Sequence, residues 1–313
     1  MMNARARHLS MLAPRGFTLV EMMVTLVLLS LVVATIYASF GSQLKNESRE
    51  EQVADMQMNA RAAMDRLAWI FRHAGFGCRE SFKTYNATLT DDNGTSFSRV
   101  FTIVDRTPDT AANSSDEVTV VLGFKKVGEV DGLHENTKTI KLKNVGTPTI
   151  TTAAMKDFKS YLAFHPYPDN AFFRVTGISA PSYTLDKTVD TLLDETDVYM
   201  VAPIRIHVDA NRTLLLENYA YTTASDWEVA DGIEKLQFQY TTDDNGTTWS
   251  DDPADPGAIK AVRVWLLARA EHPDRNYTNT KTYTMAGVTF GPYNDGYHRL
   301  LMTTTVWLRN MNE

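Results

Sequence analysis

The residues best equipped for chemistry are a run of hard oxygen donors, scattered histidines and one thiol. Asp243, Asp244, Asn245, Asp251 and Asp252, with Asp255 beyond them, lie in one short stretch. Carboxylates and amides clustered this way suit a hard cation, and calcium is the cofactor they suggest. The stretch lacks the full EF-hand spacing with its terminal Glu. Its Asn245-Gly246 pair equally suits a tight hairpin turn, since both residues tolerate positive φ. The phrase Thr-Asp-Asp-Asn-Gly-Thr occurs twice, at 90–95 and 242–247. His165-Pro166-Tyr167-Pro168-Asp169 and His272-Pro273-Asp274 read as loops, and His207 and Asp209 stand two residues apart. None of these forms a His-Glu-x-x-His zinc pattern, a nucleophile elbow or a phosphate-binding glycine loop. The expectation is therefore a protein that is not an enzyme. Cys78 is the lone cysteine. It cannot form an intrachain disulfide or a Cys-rich zinc site. It reads as a structural thiol, with an intermolecular disulfide as the alternative outside the cytoplasm.

A different kind of chemistry is suggested near the N-terminus. Residues 17–40, FTLVEMMVTLVLLSLVVATIYASF, contain one charge, Glu21. A helix of that length spans about 36 Å, enough to cross a bilayer core. The preceding residues 1–16 carry Arg5, Arg7 and Arg15 and no acid. The positive-inside rule then leaves the N-terminus cytoplasmic and everything beyond about residue 41 outside. The apolar run is too long for a secretory signal, and Ile36-Tyr37-Ala38 is a poor cleavage site. A plain anchor fits the length but leaves Glu21 unexplained, at a cost of roughly 2.5–3.5 kcal/mol if unpaired in hydrocarbon.

Arg15-Gly16-Phe17-Thr18-Leu19-Val20-Glu21 resembles the processing site of type IV prepilins. The resemblance implies cleavage between Gly16 and Phe17 by a prepilin peptidase, with N-methylation of Phe17. It also implies that Glu21 pairs with the new α-amino group, its own or a neighbour's, and sets axial register in a filament. Such pairing would offset the burial penalty.

The elements that would carry these residues follow from periodicity. Residues 41–52 are polar on all sides. From Val53 a stripe of Met56, Ala60, Met64, Leu67, Phe71 and Ala74 follows steps of three and four, which predicts an amphipathic helix over 41–77. Gly75 and Gly77 supply the stop. One helix from Phe17 to about Phe76 would be roughly 90 Å long. Period two then takes over at Val118-Val120-Leu122-Phe124, Val198–Val208, Leu236-Phe238-Tyr240, Val262-Val264-Leu266-Ala268 and Leu301-Thr303-Thr305-Trp307. These predict half-buried antiparallel strands whose apolar face the helix covers, with Pro203 marking an edge or a bend. The expected organisation is a leader at 1–16, a membrane or filament-core helix at 17–40 and the amphipathic helix at 41–77. An elaborated insertion at 78–195 and an antiparallel sheet region at 196–313 follow. The expected class is α+β, type IV pilin-like.

Two further stretches narrow the resemblance. Met56–Leu67, with its Gln-x-Asn-Ala-Arg phrase, and Arg72-His73-Ala74-Gly75-Phe76-Gly77-Cys78 are similar to PilW-type minor pilins. So are Gly232–Tyr240, Ala261–Arg269 and Arg299–Asn310. No proline falls between Phe17 and Val53, so the helix-bending proline of many major pilins has no counterpart. The resemblance implies a structural subunit that waits in the inner membrane, enters a fibre, and helps initiate it. Implied partners are the prepilin peptidase, other minor pilins, the major pilin, an inner-membrane platform protein and a large tip adhesin. Adhesion and twitching motility would belong to the fibre. The alternatives are a J-type pseudopilin of type II secretion and a membrane-anchored extracytoplasmic enzyme or binding module. With 31 basic against 38 acidic residues and a net charge of −7, a nucleic-acid partner is not expected.

Overall fold

A computed structural model describes residues 16, 18–76, 89–90, 96–97, 100–104, 115–146, 150–151, 159–165, 172–220 and 226–311. The chain divides into two units, Met1–Glu51 and Gln52–Glu313. Helix α1 (Leu19–His73) contributes to both.

Within the first unit the helix is exposed throughout wherever side chains are described. Leu26, Leu28, Leu29 and Leu31 are all solvent-facing, Leu29 at 58%. This segment is long and apolar enough to cross a membrane. Three of its hydroxyls bond locally. Thr25 donates to Met22 O at 2.9 Å, Ser30 to Val27 O at 2.7 Å and Thr35 to Val32 O at 2.7 Å. Folding each hydroxyl back onto its own turn removes the cost of a bare polar group in hydrocarbon.

In the second unit the predicted stripe is buried. Met56, Ala60, Met64, Leu67, Phe71 and Ala74 are joined by Ala63 and Ile70, with Leu67 and Phe71 at 0% exposure. Arg61, Asp65 and Arg72 occupy the exposed faces. The helix stops where Gly75 turns to φ +75° and donates its N–H to Val121 O at 3.2 Å. Ala74 also bridges to Leu122.

The strands, among the described residues, run in chain order. They are β1 (Leu89–Thr90), β2 (Ser96–Phe97), β3 (Phe101–Val104), β4 (Glu117–Val130), β5 (His134–Lys143), β6 (Tyr161–His165), β7 (Phe173–Ser179) and β8 (Ser182–Leu192). Then come β9 (Asp197–Val208), β10 (Leu214–Asn218), β11 (Asp226–Ala230), β12 (Ile233–Thr241), β13 (Ala261–Arg269), β14 (Tyr283–Met285), β15 (Val288–Phe290) and β16 (Arg299–Trp307). All pairings are antiparallel.

Strands β4 and β9 organise the unit because each does two jobs. Their first pairing stretch, Val118–Gly123 against Ile206–Val201, sits in a sheet with β3 on one side and β10–β11 on the other. After register shifts at Gly123/Lys125 and Lys126/Gly128 they pair again, Lys125–Glu129 against Met200–Asp197. There β6, β7, β8 and β5 connect β9 back to β4, so six strands close into a ring. Closure removes open edges, and the bulges allow the bend. Leu162, Phe164, Phe173, Val175, Tyr183 and Val198 help form one filled core within this ring. The irregular stretch read as an insertion thus contributes most of a small barrel. It shares β4–β9 pairing with the region after residue 196.

The second core joins the helix stripe to β3, β4, β9 and β10 and to the three-stranded sheet β12-β13-β16. Gly123 stands where the helix terminus meets β4. A Cβ there would come within 1.9 Å of Phe76 O, so only glycine fits.

Two sequence expectations are narrowed by the structure: of the edge or bend read at Pro203 the edge is excluded, and β16 has the other phase. Pro203 lies in an interior strand: β9 has β4 on one side and β6 and then β10 on the other. Its carbonyl accepts from Tyr219 N at 3.1 Å, on the β10 side. Its ring nitrogen faces that side too, between the last β6 pair at Val201 and the first β10 pair at Ile204, where no ladder donor is needed. In β16 the strand is where periodicity places it, but the phase differs. Leu300, Met302 and Val306 join the core, while Thr303 and Thr305 are exposed and Trp307 is 43% exposed. A one-residue phase error exchanges the two faces.

Candidate functional site

The predicted processing junction begins with Gly16, which is exposed; Phe17 lies outside the described residues. Beyond it, Thr18 and Glu21 form a reciprocal pair. Glu21 N donates to Thr18 Oγ1 at 3.2 Å, and Thr18 N donates to Glu21 Oε2 at 3.3 Å. The Thr18 hydroxyl also reaches Glu21 Oε2 at 3.4 Å. This is a capping box, in which residue N-cap and residue N3 satisfy each other's orphan amides. Sequence reasoning had no role for Thr18. The signal was present as Thr-x-x-Glu ahead of an apolar run.

At the other end of α1 the structure adds a residue that periodicity could not identify. Asn310 Nδ2 donates to Arg72 O at 3.1 Å and to Ala74 O at 3.3 Å. It thereby caps carbonyls that the helix leaves without an intrahelical donor.

The acidic stretch is organised by internal partners. The two Asp243 oxygens accept from Asn245 N at 3.0 Å and Thr247 N at 2.8 Å, and from the Thr247 hydroxyl. The Thr247 hydroxyl, followed by the two backbone N–H groups, holds the Asp243 carboxyl down at about 2. Asp244 pairs with Lys260. Asp255 accepts from Gly257 N at 3.0 Å. Asp251 is partly buried and Asp252 exposed. Among the described residues, no group of three or more His, Cys, Asp or Glu converges as a metal site. Asp243 and Asp255 thus shape turns, and Asp244 serves an ion pair. The Asn245-Gly246 turn also differs from a simple hairpin. β12 pairs with β13, and the segment after the turn returns only as a single Tyr240–Ser250 bridge. Trp249 closes the loop, donating from Nε1 to Gly246 O at 2.9 Å beneath Arg263. At the matching phrase, β1 and β2 pair across residues 91–95, which themselves lie outside the described residues, as does Cys78.

The histidines separate. His272 is exposed. Asp274 of the same phrase approaches His298 instead, at 3.3 Å. Asp209 leaves the β9 face and folds a loop, accepting from Asn211 N at 2.9 Å and Thr213 N at 2.8 Å. Burial, followed by neighbouring Arg205, pushes His207 below its ordinary value. Among the described residues, these histidines and their partners do not bring together a nucleophile, a base and an orienting group.

Comparison with known proteins gives two family matches. Residues 203–310 match the family described as Type IV Pilus-assembly protein W, and residues 11–37 match the Prokaryotic N-terminal methylation motif. The first spans β9 through β16 from Pro203 onward. The second spans the Gly16–Phe17 junction, the capping box and most of the apolar run. Among solved structures, a type IV-like pilin from Thermus thermophilus aligns over 83% of this chain and 97% of its own. It does so at 13% identity and a TM-score of 0.39. Curated proteins give no match.

Proposed function

We propose that this PilW-like chain, which carries an N-terminal methylation motif, is a minor pilin of a type IV pilus. The observation that carries the reading is the pairing of that motif with a helix segment whose large apolar side chains are exposed from Leu19 to Phe40. Such a surface needs lipid or other helices around it. The subunit is held in the inner membrane by this segment, N-terminus cytoplasmic and head outside, until it is processed and drawn into a fibre. Cleavage follows Gly16, Phe17 is methylated, and Glu21 moves from its capping partner to a subunit amine. The prepilin peptidase, other minor pilins, the major pilin and the platform protein are its partners, with a large tip adhesin as a further one. Its work is assembly and initiation, and adhesion or motility belongs to the fibre. The match from 203 to 310 supports pilus assembly over type II secretion.

The test is the mature N-terminus, measured by mass spectrometry on membrane-extracted protein with and without the prepilin peptidase. The expected result is a start at N-methylated Phe17 that disappears without the peptidase. An intact Met1 in both backgrounds would refute the pilin pathway.

A further inference from the structure

The second unit contains a cavity of about 450 Å³ between helix residues 52–59 and the loops after β9, β11 and β13. Two arginines, Arg212 and Arg269, are among the residues that line it. Arg269 is only 12% exposed. One face of its guanidinium stacks on Tyr297 at 3.9 Å. Its nearest carboxylate, Glu234, stays 3.9 Å away, because both Glu234 oxygens are bonded to Arg299. Among the described residues, no side-chain hydrogen bond is made by Arg269 or by Arg212. Burial, followed by the neighbouring Arg212, pushes Arg269 below its ordinary value. The two like charges thus stand close together, with Glu234 beside Arg269 as a long-range ion-pair partner and Asp55, Asp231 and Glu271 also on the cavity lining.

The backbone makes the arrangement more pointed. Arg212 has φ +68°, a conformation that ordinarily falls to Gly or Asn. The loop enforces it, because Asp209 accepts from both Asn211 N and Thr213 N while Arg212 N donates to Asp209 O at 3.1 Å. An arginine at a strained position on a cavity wall is a reason to look for a ligand. The carboxylates nearby are less available. Asp55 and Glu271 are solvent-exposed, and Asp231 accepts from Thr213 Oγ1 at 2.9 Å.

We propose that this cavity is an oxyanion site in which Arg212 and Arg269 together hold a carboxylate or phosphate group. Planar guanidinium forks match both geometries. The volume admits a small organic anion, or a single acidic side chain presented by another protein.

The experiment titrates the full-length chain, in an uncharged detergent at fixed ionic strength, with inorganic phosphate and separately with succinate. Calorimetry reads binding and thermal denaturation reads Tm. At least one anion should bind saturably at one site, and sodium chloride should not reproduce the signal. Phosphate alone would identify a tetrahedral ligand and succinate alone a carboxylate; either supports the site. Arg212→Gly should weaken binding at least tenfold while Tm stays level or rises, because glycine accepts the positive φ. Arg269→Lys should also weaken binding, since it keeps charge and loses the fork. Absence of saturable binding for both anions would overturn the proposal. So would unchanged affinity in a folded Arg212→Gly or Arg269→Lys protein.

Discussion

Residues 24–40 and 56–73 belong to one helix, yet their apolar side chains meet opposite fates. Val24, Leu28, Leu29 and Leu31 face outward. Met56, Leu67, Ile70 and Phe71 are covered by strands of their own chain. The first stretch is apolar on all faces, so no single sheet could cover it. The second is apolar on one stripe and charged elsewhere, which is what packing on a sheet requires. The difference teaches that one helix can be written for two solvents. Only the second half derives its burial from this chain, so head stability should respond there and not in the first half.

The largest break in that comparison should come at Gly123. Gly123→Ala puts a methyl into Phe76 O and must displace the end of the helix or β4. We expect about 4 kcal/mol or more of lost head stability, in the range reserved for core disruption. Chemical denaturation in detergent, followed by near-UV circular dichroism, would read it. A loss under about 1 kcal/mol would mean the helix terminus is not held as described.

Next in size is a matched pair. Leu67→Ala removes a fully buried side chain and should cost about 3 kcal/mol of head stability. Leu29→Ala should leave the same transition within about 0.5 kcal/mol. Equal effects from the two would erase the distinction between the halves.

Most of this contrast was legible before the structure. Steps of three and four give the stripe at 56–74, and uninterrupted apolarity gives 17–40. Strands β4, β9, β12, β13 and β16 were legible from period two. Closure of the barrel was not, because it depends on β5 through β8 pairing in an order that local patterning does not encode. Their Thr- and Asp-rich alternation is also weak. The phase of β16 was ambiguous for a related reason: Leu300 and Met302 compete with Leu301 and Trp307, and only the partner strand decides. In the candidate site, the Gly16–Phe17–Glu21 motif was read from sequence. Thr18 was missed although its signature was local, and Asn310 was missed because its partners lie at Arg72 and Ala74. The acidic stretch supports two readings in sequence, because Asp and Asn serve turns as readily as they serve cations.

Acid should sharpen the comparison further. Arg299, bonded to Asp295 at 2.6 and 2.7 Å, holds that carboxyl below its ordinary 3.8. A depressed carboxylate stabilises the fold above its unfolded value, and this contribution is lost as pH falls from about 4 through the lower folded value. Asp295 is partly solvated, so its share is about 1 kcal/mol after screening. Below pH 4 the head should lose near-UV signal while helical signal from residues 19–40 persists in detergent. Asp295→Asn should lower stability at pH 7 and flatten the acid limb. An unchanged limb would remove Asp295 from the account.

The smallest expected effect lies at the helix end that Asn310 caps. Asn310→Ala deletes two donors at 3.1 and 3.3 Å from Arg72 O and Ala74 O. Asn310 is partly exposed, so water can replace some of what is lost. A net cost of about 0.5–1 kcal/mol follows from ordinary hydrogen-bond values. For a unit of this size that is a Tm drop of about 1–4 °C. Thr18→Ala removes the cap at the opposite end at a comparable helix-level cost of about 1 kcal/mol. It should leave the head transition where it was, because Thr18 belongs to the first unit. Amide exchange read residue by residue should then show faster exchange near residue 22 in Thr18→Ala and near residue 74 in Asn310→Ala. If Thr18→Ala also lowered head Tm, the two halves would be thermodynamically coupled along the helix, and the two-solvent account would have to yield to a single cooperative unit.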